Sequence, residues 1–303
     1  MKSTFSGLGA VGLAVAGFTC WVLADTSIKL AGQSKLPAYE MVAFLGLFIA
    51  GFVMAHGIWQ REVRALWPRD VPRQFVRSCL DLGNNLCVVI ALRHLTLTLF
   101  YILVFAAPMV VAVVSALFGR EGLTWRKGLA VVIGFAGVVI AVDPFGSATQ
   151  GDWIGYLACT ICVACFSTNM LWSRTLTQTE RPESLTFFSG VVMAGAGFGL
   201  MLWHTEPLTW KLTAMLVAMG LFCTLGSMCF FVALKHTSAA NVAQYHYTQL
   251  ISGTLVAYLI WHQAPSVFIV LGGLLILGSG LYIAVLASRE PRRHYTLAPS
   301  VPE

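Results

Sequence analysis

The stretch ALRHLTLTLFYILVFAAPMVVAVVSALFGRE, residues 91–121, decides how the whole chain is read. It opens on Ala91-Leu92-Arg93-His94, runs through an apolar span from Leu95 to Phe118, and closes on Gly119-Arg120-Glu121. At an offset of 142 residues the opening returns as Ala233-Leu234-Lys235-His236, again followed by an apolar span that ends near Trp261. The next segment echoes as well: GFAGVVIAV at 134–142 stands against LGSGLYIAV at 277–285, now at an offset of 143. One inserted residue therefore separates the copies. The chain reads as one half-unit written twice.

Composition fixes the environment of that unit. Of the 303 residues 57% are hydrophobic and 11% charged, and the mean hydropathy is +0.77. A soluble domain carries about 25% charged residues, so a water-soluble globule is excluded. Runs of 18 or more apolar residues are candidates for transmembrane helices. Ten are expected, at 7–30, 38–58, 75–92, 96–118, 125–142, 153–172, 184–203, 212–234, 240–261 and 267–286. The first is too long for a cleaved secretory signal and contains Asp25 and Lys29, so it is expected to stay as a helix.

The net charge of +6 is a topology signal. With an even number of spans both termini share one side. That side collects fifteen Lys and Arg residues, among them Lys2, Arg61–Arg77, Arg120–Lys127, Arg174, Arg181 and Arg289–Arg293; the other has only Lys29, Lys35, Arg93 and Lys211. The positive-inside rule then places both termini in the cytoplasm, the protein being multi-pass in a bacterial-type inner membrane. The basic balance calls for contact with membrane lipid and for no nucleic acid. Eight cysteines all fall within spans. Cys159, Cys162 and Cys165 share a helical face, but a structural metal site wants four closed ligands and nothing nearby completes the set. No metal and no cofactor is expected.

Ionisable and amide groups inside a span are costly and face a cavity or a partner. In the first span Trp21, Asp25 and Lys29 lie four apart, on one face. Asp25 is either one half of an ion pair with Lys29 or a substrate or proton group. The third span carries Arg77, Asp81 and Asn85 at the same spacing: an internal Arg77–Asp81 pair, or the wall of an aqueous pathway. In the fourth, Tyr101 interrupts the apolar surface near one end, and Pro108, near the middle, is expected to bend the helix. Asn169 closes the sixth span. The ninth, the echo of the fourth, reads NVAQYHYTQ at 241–249, the densest polarity in any span, with Tyr245, His246 and Gln249 as cavity candidates. The second, fifth, seventh and tenth spans are almost bare of polar groups and dotted with glycine, which suits close helix packing.

The turn-rich segment 143–151 divides the chain into repeats 1–147 and 148–287, with a basic disordered tail at 288–303. Five spans per repeat force the second to enter the membrane in the opposite sense, the inverted-repeat plan of many secondary transporters.

Ala91-Leu92, the span holding Pro108, Glu121 and the Gly134–Val142 segment resemble the drug/metabolite transporter superfamily in its EamA-type branch. The second copy keeps Ala233-Leu234 and Gly280, has Gln263 in place of Glu121 and lacks the proline. The resemblance covers nearly the whole chain. It implies an all-α integral membrane protein of ten transmembrane helices in two inverted five-helix repeats, similar in architecture to an aromatic amino-acid exporter. It further implies a cavity between the repeats, walled mainly by helices one, three, four, six, eight and nine, and alternating access without ATP.

The function expected is secondary transport of a small amphipathic or zwitterionic organic metabolite, amino-acid-like or aromatic. The expected lining is Trp21, Asp25, Asp81, Asn85, Tyr101, Asn169, Tyr245, His246 and Gln249, with Asp25, Asp81 and His246 as the groups that a proton coupling would use. A polyanionic solute is disfavoured, because no basic cluster lies at mid-depth. Uptake of a larger cofactor-type solute, such as a nucleoside derivative (S-adenosylmethionine) or riboflavin, is the alternative within the class; a non-transporting scaffold or sensor is the alternative outside it. No HExxH, GxSxG or paired carboxylates on one helix support an enzyme. Monomer and homodimer both remain open. Comparing the repeats, the exchange of Leu103, Val104, Phe105 and Ala107 for Tyr245, His246, Tyr247 and Gln249 points to the second copy as the substrate side.

Overall fold

The structure is a computed structural model and describes residues 7–34, 36–107, 110, 125–142, 152–201, 207–236, 242 and 245–289. Pro108, Glu121, the 143–151 turn, Asn241, Gln244 and the tail from 290 lie outside the described residues.

Among the described residues there are ten α-helices and no strand. They are α1 (Gly7–Gly32), α2 (Ala38–Trp59), α3 (Val71–His94), α4 (Leu97–Val104), α5 (Trp125–Val142), α6 (Trp153–Leu176), α7 (Pro182–Met201), α8 (Trp210–His236), α9 (Thr248–Trp261) and α10 (Val267–Arg289). Six contain spans long and apolar enough to cross a membrane: those in α1, α2, α3, α6, α7 and α8. Their 20 to 27 residues at 1.5 Å per residue reach across a hydrocarbon core of about 30 Å. The apolar parts of α5, α9 and α10 are shorter.

The helix ends follow local chemistry. A short 3-10 turn, Val63–Leu66, precedes α3, whose start is earlier than apolarity alone suggests. The Asp70 side chain caps it by accepting from the Arg73 backbone N–H at 3.2 Å, with Pro72 in the first turn. The last helix runs through Arg289, past the expected start of the tail at 288.

Two expected helices are not continuous. Residues 96–118 were expected as one run, yet α4 stops at Val104 and the chain turns at Phe105–Ala106. The Phe105 N–H still reaches the Tyr101 carbonyl, but the Ala106 N–H reaches back only three residues, to Leu103. The break falls in the turn before position 108, whose proline supplies no backbone N–H for a carbonyl four residues back. The echo breaks at the matching point. His246 and Tyr247 form a turn, and α9 starts at Thr248 rather than 240. No proline acts here. The Thr248 hydroxyl donates to the Tyr245 carbonyl at 2.7 Å, and Gln249 and Leu250 make three-residue backbone bonds. Local hydroxyl bonding competes with the helical ladder.

Packing pairs α1 with α8, α2 with α7, α3 with α6, α4 with α9 and α5 with α10. Small residues let these backbones touch. A Cβ on Gly46 of α2 would lie 2.5 Å from the Gly190 carbonyl of α7, and one on Gly272 of α10 would lie 2.4 Å from the Gly137 carbonyl of α5. Close backbone approach of this kind holds helices together where the surrounding solvent is as apolar as the side chains. The remaining faces stay apolar and open outward: Val132, Val139, Ile251, Leu259, Leu271 and Leu274 are all exposed, as a lipid-facing surface requires.

Candidate functional site

A cavity of about 110 Å³ opens between α1, α2, α3, α4, α6, α7, α8 and α9. That is room for several waters or part of a small solute. Trp21, Asp25, Asp81, Asn85, Tyr101, Asn169, His246 and Gln249 all stand on its wall. Tyr245 does not. It is half-buried against an apolar cluster that contains Phe18 and Val242 and shares Phe230 with the cavity wall.

The helix-end pair expected between Asp25 and Lys29 is absent. The Lys29 ammonium donates to the carbonyls of Leu92, at 3.0 Å, and Leu95, at 2.6 Å, and stands 5.8 Å from the centroid of a Trp261 ring. Those carbonyls belong to the end of α3, where a cation satisfies orphan acceptors and the helix dipole together. Asp25 takes a different partner: the Tyr101 hydroxyl donates to its carboxylate at 2.9 Å. Tyr101 is 1% exposed. It holds its place because Gly253 of α9 lies under the ring, where a Cβ would sit 2.2 Å from a ring carbon. A glycine of one half thus positions the tyrosine that fixes a carboxylate of the other.

On α3 the expected ion pair is also missing among the described contacts. Arg77 is fully buried and donates to the Leu185 carbonyl at 2.7 Å and to the Ser189 hydroxyl of α7, and its guanidinium lies 5.4 Å from the Phe231 ring centroid. Asp81, one turn further on, accepts from the Asn169 amide of α6 at 3.2 Å. The Asn85 amide donates to the Asp81 carbonyl at 2.8 Å. Asn169 is itself oriented by the Ser173 hydroxyl, which donates to its amide oxygen at 2.8 Å. Both cavity carboxylates are therefore held by neutral donors.

Aromatic rings supply much of the apolar wall. Trp21 packs against Phe230 at 4.9 Å between centroids, and Gly226 clears the space its indole fills. His246 is 3% exposed and sits among Phe18, Phe166 and Phe105, at 4.9, 5.1 and 5.3 Å. The Gln249 amide donates to the Phe18 carbonyl at 3.2 Å, which ties α9 to α1. Among the cysteines, Cys162 donates toward the Asn84 amide oxygen at 3.2 Å, and among the described residues no three His, Cys, Asp or Glu gather as a metal would require.

Asn84, which flanks the Asp81–Asn85 face in sequence, and Ser227, weakly polar in the eighth span, also line the cavity. Other wall residues escaped the sequence reading: Phe166, Cys223 and Phe231, with Thr186, Ser189 and Met193 of α7 and Ile49 of α2. The second and seventh helices are thus not mere packing helices. Ser184, Thr186 and Ser189 do form a polar stripe in the sequence of α7, but hydroxyls that can bond their own helix give a weak signal. The first copy also contributes, through Phe100, Tyr101 and Val104, so the wall belongs to both halves.

The chain is similar to several known transporters. The pseudopaline exporter CntI of Pseudomonas aeruginosa is 25% identical over 266 residues, covering 86% of this chain and 90% of its own. An S-adenosylmethionine uptake transporter of Rickettsia bellii is 24% identical over 264 residues, covering 86% and 87%. A riboflavin transporter of Rhizobium johnstonii is 24% identical over 294 residues, with 94% of each covered. A solved crystal structure superposes with a TM-score of 0.66 at 19% identity, over 92% of this chain and 98% of that one. The EamA-like transporter family matches twice, at residues 8–142 and 153–285. With its apolar spans, the protein is a multi-pass transporter of the bacterial cell membrane. This chain belongs to the EamA-like transporter family.

Proposed function

We propose that the protein moves a small amphipathic organic metabolite, amino-acid-like or aromatic, by alternating access, with the cavity as its binding site. The observation that carries this reading is the wall itself: carboxylates and amides from α1, α3, α6 and α9 interleaved with indole and phenyl faces. Such a surface suits a solute with an apolar body and a few polar groups. No enzymatic activity is proposed.

The two halves are read as inverted five-helix repeats with both termini in the cytoplasm. The pairing pattern supports this. Helices 1·8 and 3·6 exchange when the halves exchange, while 2·7, 4·9 and 5·10 map onto themselves. A two-fold relation between the halves would produce that set of contacts, and the two family matches divide the chain in the same place. Two halves that can swap conformations supply inward- and outward-open states of equal kind.

Uptake of a cofactor-type solute is the second reading, favoured by relatives named for S-adenosylmethionine and riboflavin. Space for several waters in this conformation favours the smaller solute. Proton coupling rests on Asp25 and Asp81 facing the cavity; flux indifferent to a pH gradient, together with an active Asp81→Asn variant, would remove it.

The test is counterflow in proteoliposomes. Purified protein is reconstituted with amino acids, aromatic amines, nucleoside derivatives and riboflavin as trial solutes, with and without a pH gradient. Saturable, protein-dependent flux of an amino-acid-sized solute is the expected result. Flux of riboflavin or S-adenosylmethionine alone would favour the second reading, and no flux at all would remove both.

A further inference from the structure

We infer that Asp25 is the counter-ion for a positively charged centre of the transported solute, an ammonium, sulfonium or quaternary ammonium group. The inference rests on the transport reading above and narrows it to a charge class.

Three observations on different helices converge. First, the cavity wall carries two carboxylates, Asp25 and Asp81, and no Lys or Arg among the described residues. Second, the two basic groups that spacing would assign to these carboxylates are engaged elsewhere: Lys29 with the α3 carbonyls, Arg77 with Leu185 and Ser189. Arg77 still lies one turn from Asp81 and Asn169 donates to that carboxylate, so Asp81 is partly compensated. Asp25 receives only the Tyr101 hydroxyl among the described contacts. Asp25 is half-buried on the cavity wall, and a carboxylate inside a span with no opposite charge is costly, so a cationic group or a proton offsets it there.

Third, the faces beside Asp25 are the kind a cation selects. Trp21 sits one turn before it on the same side of α1, with Phe230 at 4.9 Å and Phe166 at 6.3 Å from the indole. An aromatic face attracts a cation through its quadrupole, most strongly for indole and most strongly when desolvated. Anion-selecting cavities are built oppositely, with guanidinium or ammonium groups on the wall. A zwitterion is admitted through its ammonium; a neutral solute gains at most a hydrogen bond from Asp25, and an anion is repelled.

The experiment uses the full-length protein in proteoliposomes and a counterflow panel balanced by charge. Tyramine, choline and S-adenosylmethionine carry a positive centre; N-acetyltyramine and riboflavin are neutral; 3-(4-hydroxyphenyl)propionate is the anion. Tyramine and N-acetyltyramine share the phenol and differ in the acetyl group that removes the ammonium charge. The expected result is flux confined to solutes with a cationic centre, lost at least tenfold in Asp25→Asn and substantially retained in Asp25→Glu. Monodisperse elution and an unchanged melting temperature of Asp25→Asn show that the loss is not one of folding. Flux of the neutral or anionic members that equals or exceeds that of the cationic ones overturns the inference and leaves the transport reading standing. So does an Asp25→Asn protein that keeps its cation preference and loses only its response to a pH gradient, since the arriving charge would then be a proton. Flux of no member removes the transport reading and this inference with it.

Discussion

Lys29 and Arg77 show how much a side chain's reach matters inside a bundle. Each stands four residues from a carboxylate on its own helix, and each prefers carbonyls of a neighbouring helix. Hydrogen bonds to a charged group contribute roughly 1.5–3 kcal/mol each, more than an i,i+4 pair at about 0.3–0.5 kcal/mol. Lys29→Met should therefore lower the melting temperature of purified protein by several degrees while leaving solute selectivity unchanged; a changed selectivity with full stability would place Lys29 in the site instead. Tyr101→Phe keeps the ring over Gly253 and deletes the one hydroxyl that holds Asp25. It should leave expression intact and cut flux severalfold in the proteoliposome assay. Eight of the nine site candidates line the cavity, and they were legible at this scale because an ionisable, amide or polar aromatic group in a span is conspicuous. Their partners were not, since a hydrogen bond 76 residues away in sequence leaves no local pattern.

At the scale of elements, the glycines set how closely helices meet. Gly280, the echo of Gly137, makes room for a side chain: a Cβ there would lie 1.5 Å from the Tyr247 hydroxyl. Gly280→Ala should reduce the yield of folded protein, and Tyr247→Phe in the same chain should recover part of it by removing the clashing oxygen. Size-exclusion profiles of the three variants decide this. A second element-level contact joins the loops before α3 and after α6. The Glu180 carboxylate, 4% exposed, accepts from the backbone N–H groups of Arg69 and Asp70 at 2.8 and 2.9 Å. Charge-assisted bonds to two successive amides are strong, and Glu180→Ala should increase proteolysis of the 59–71 loop in the folded protein. The broken helices mark the limit of pattern reading. Apolarity delimits a span, but whether the backbone inside it stays helical depends on one missing N–H at Pro108 and one competing hydroxyl at Thr248.

At the scale of the whole molecule, charge asymmetry and the duplicated half-unit carry the topology. With both termini cytoplasmic, a C-terminal green fluorescent protein fusion should fluoresce and an alkaline phosphatase fusion at the same point should stay inactive; the reverse pattern would overturn the expected orientation. What the sequence by itself determined is the membrane environment, the all-helical class and most of the polar residues on the cavity wall. These are properties of composition and period, which a single chain displays without folding. Only the tertiary structure decided which carboxylate lacks a cation, that Tyr245 is left out of the lining, and that α7 and both fourth helices share the wall. Those outcomes depend on where helices from the two halves cross. The crossings are set by glycine contacts across the bundle, such as Gly253 beneath Tyr101, that no periodicity within one helix records.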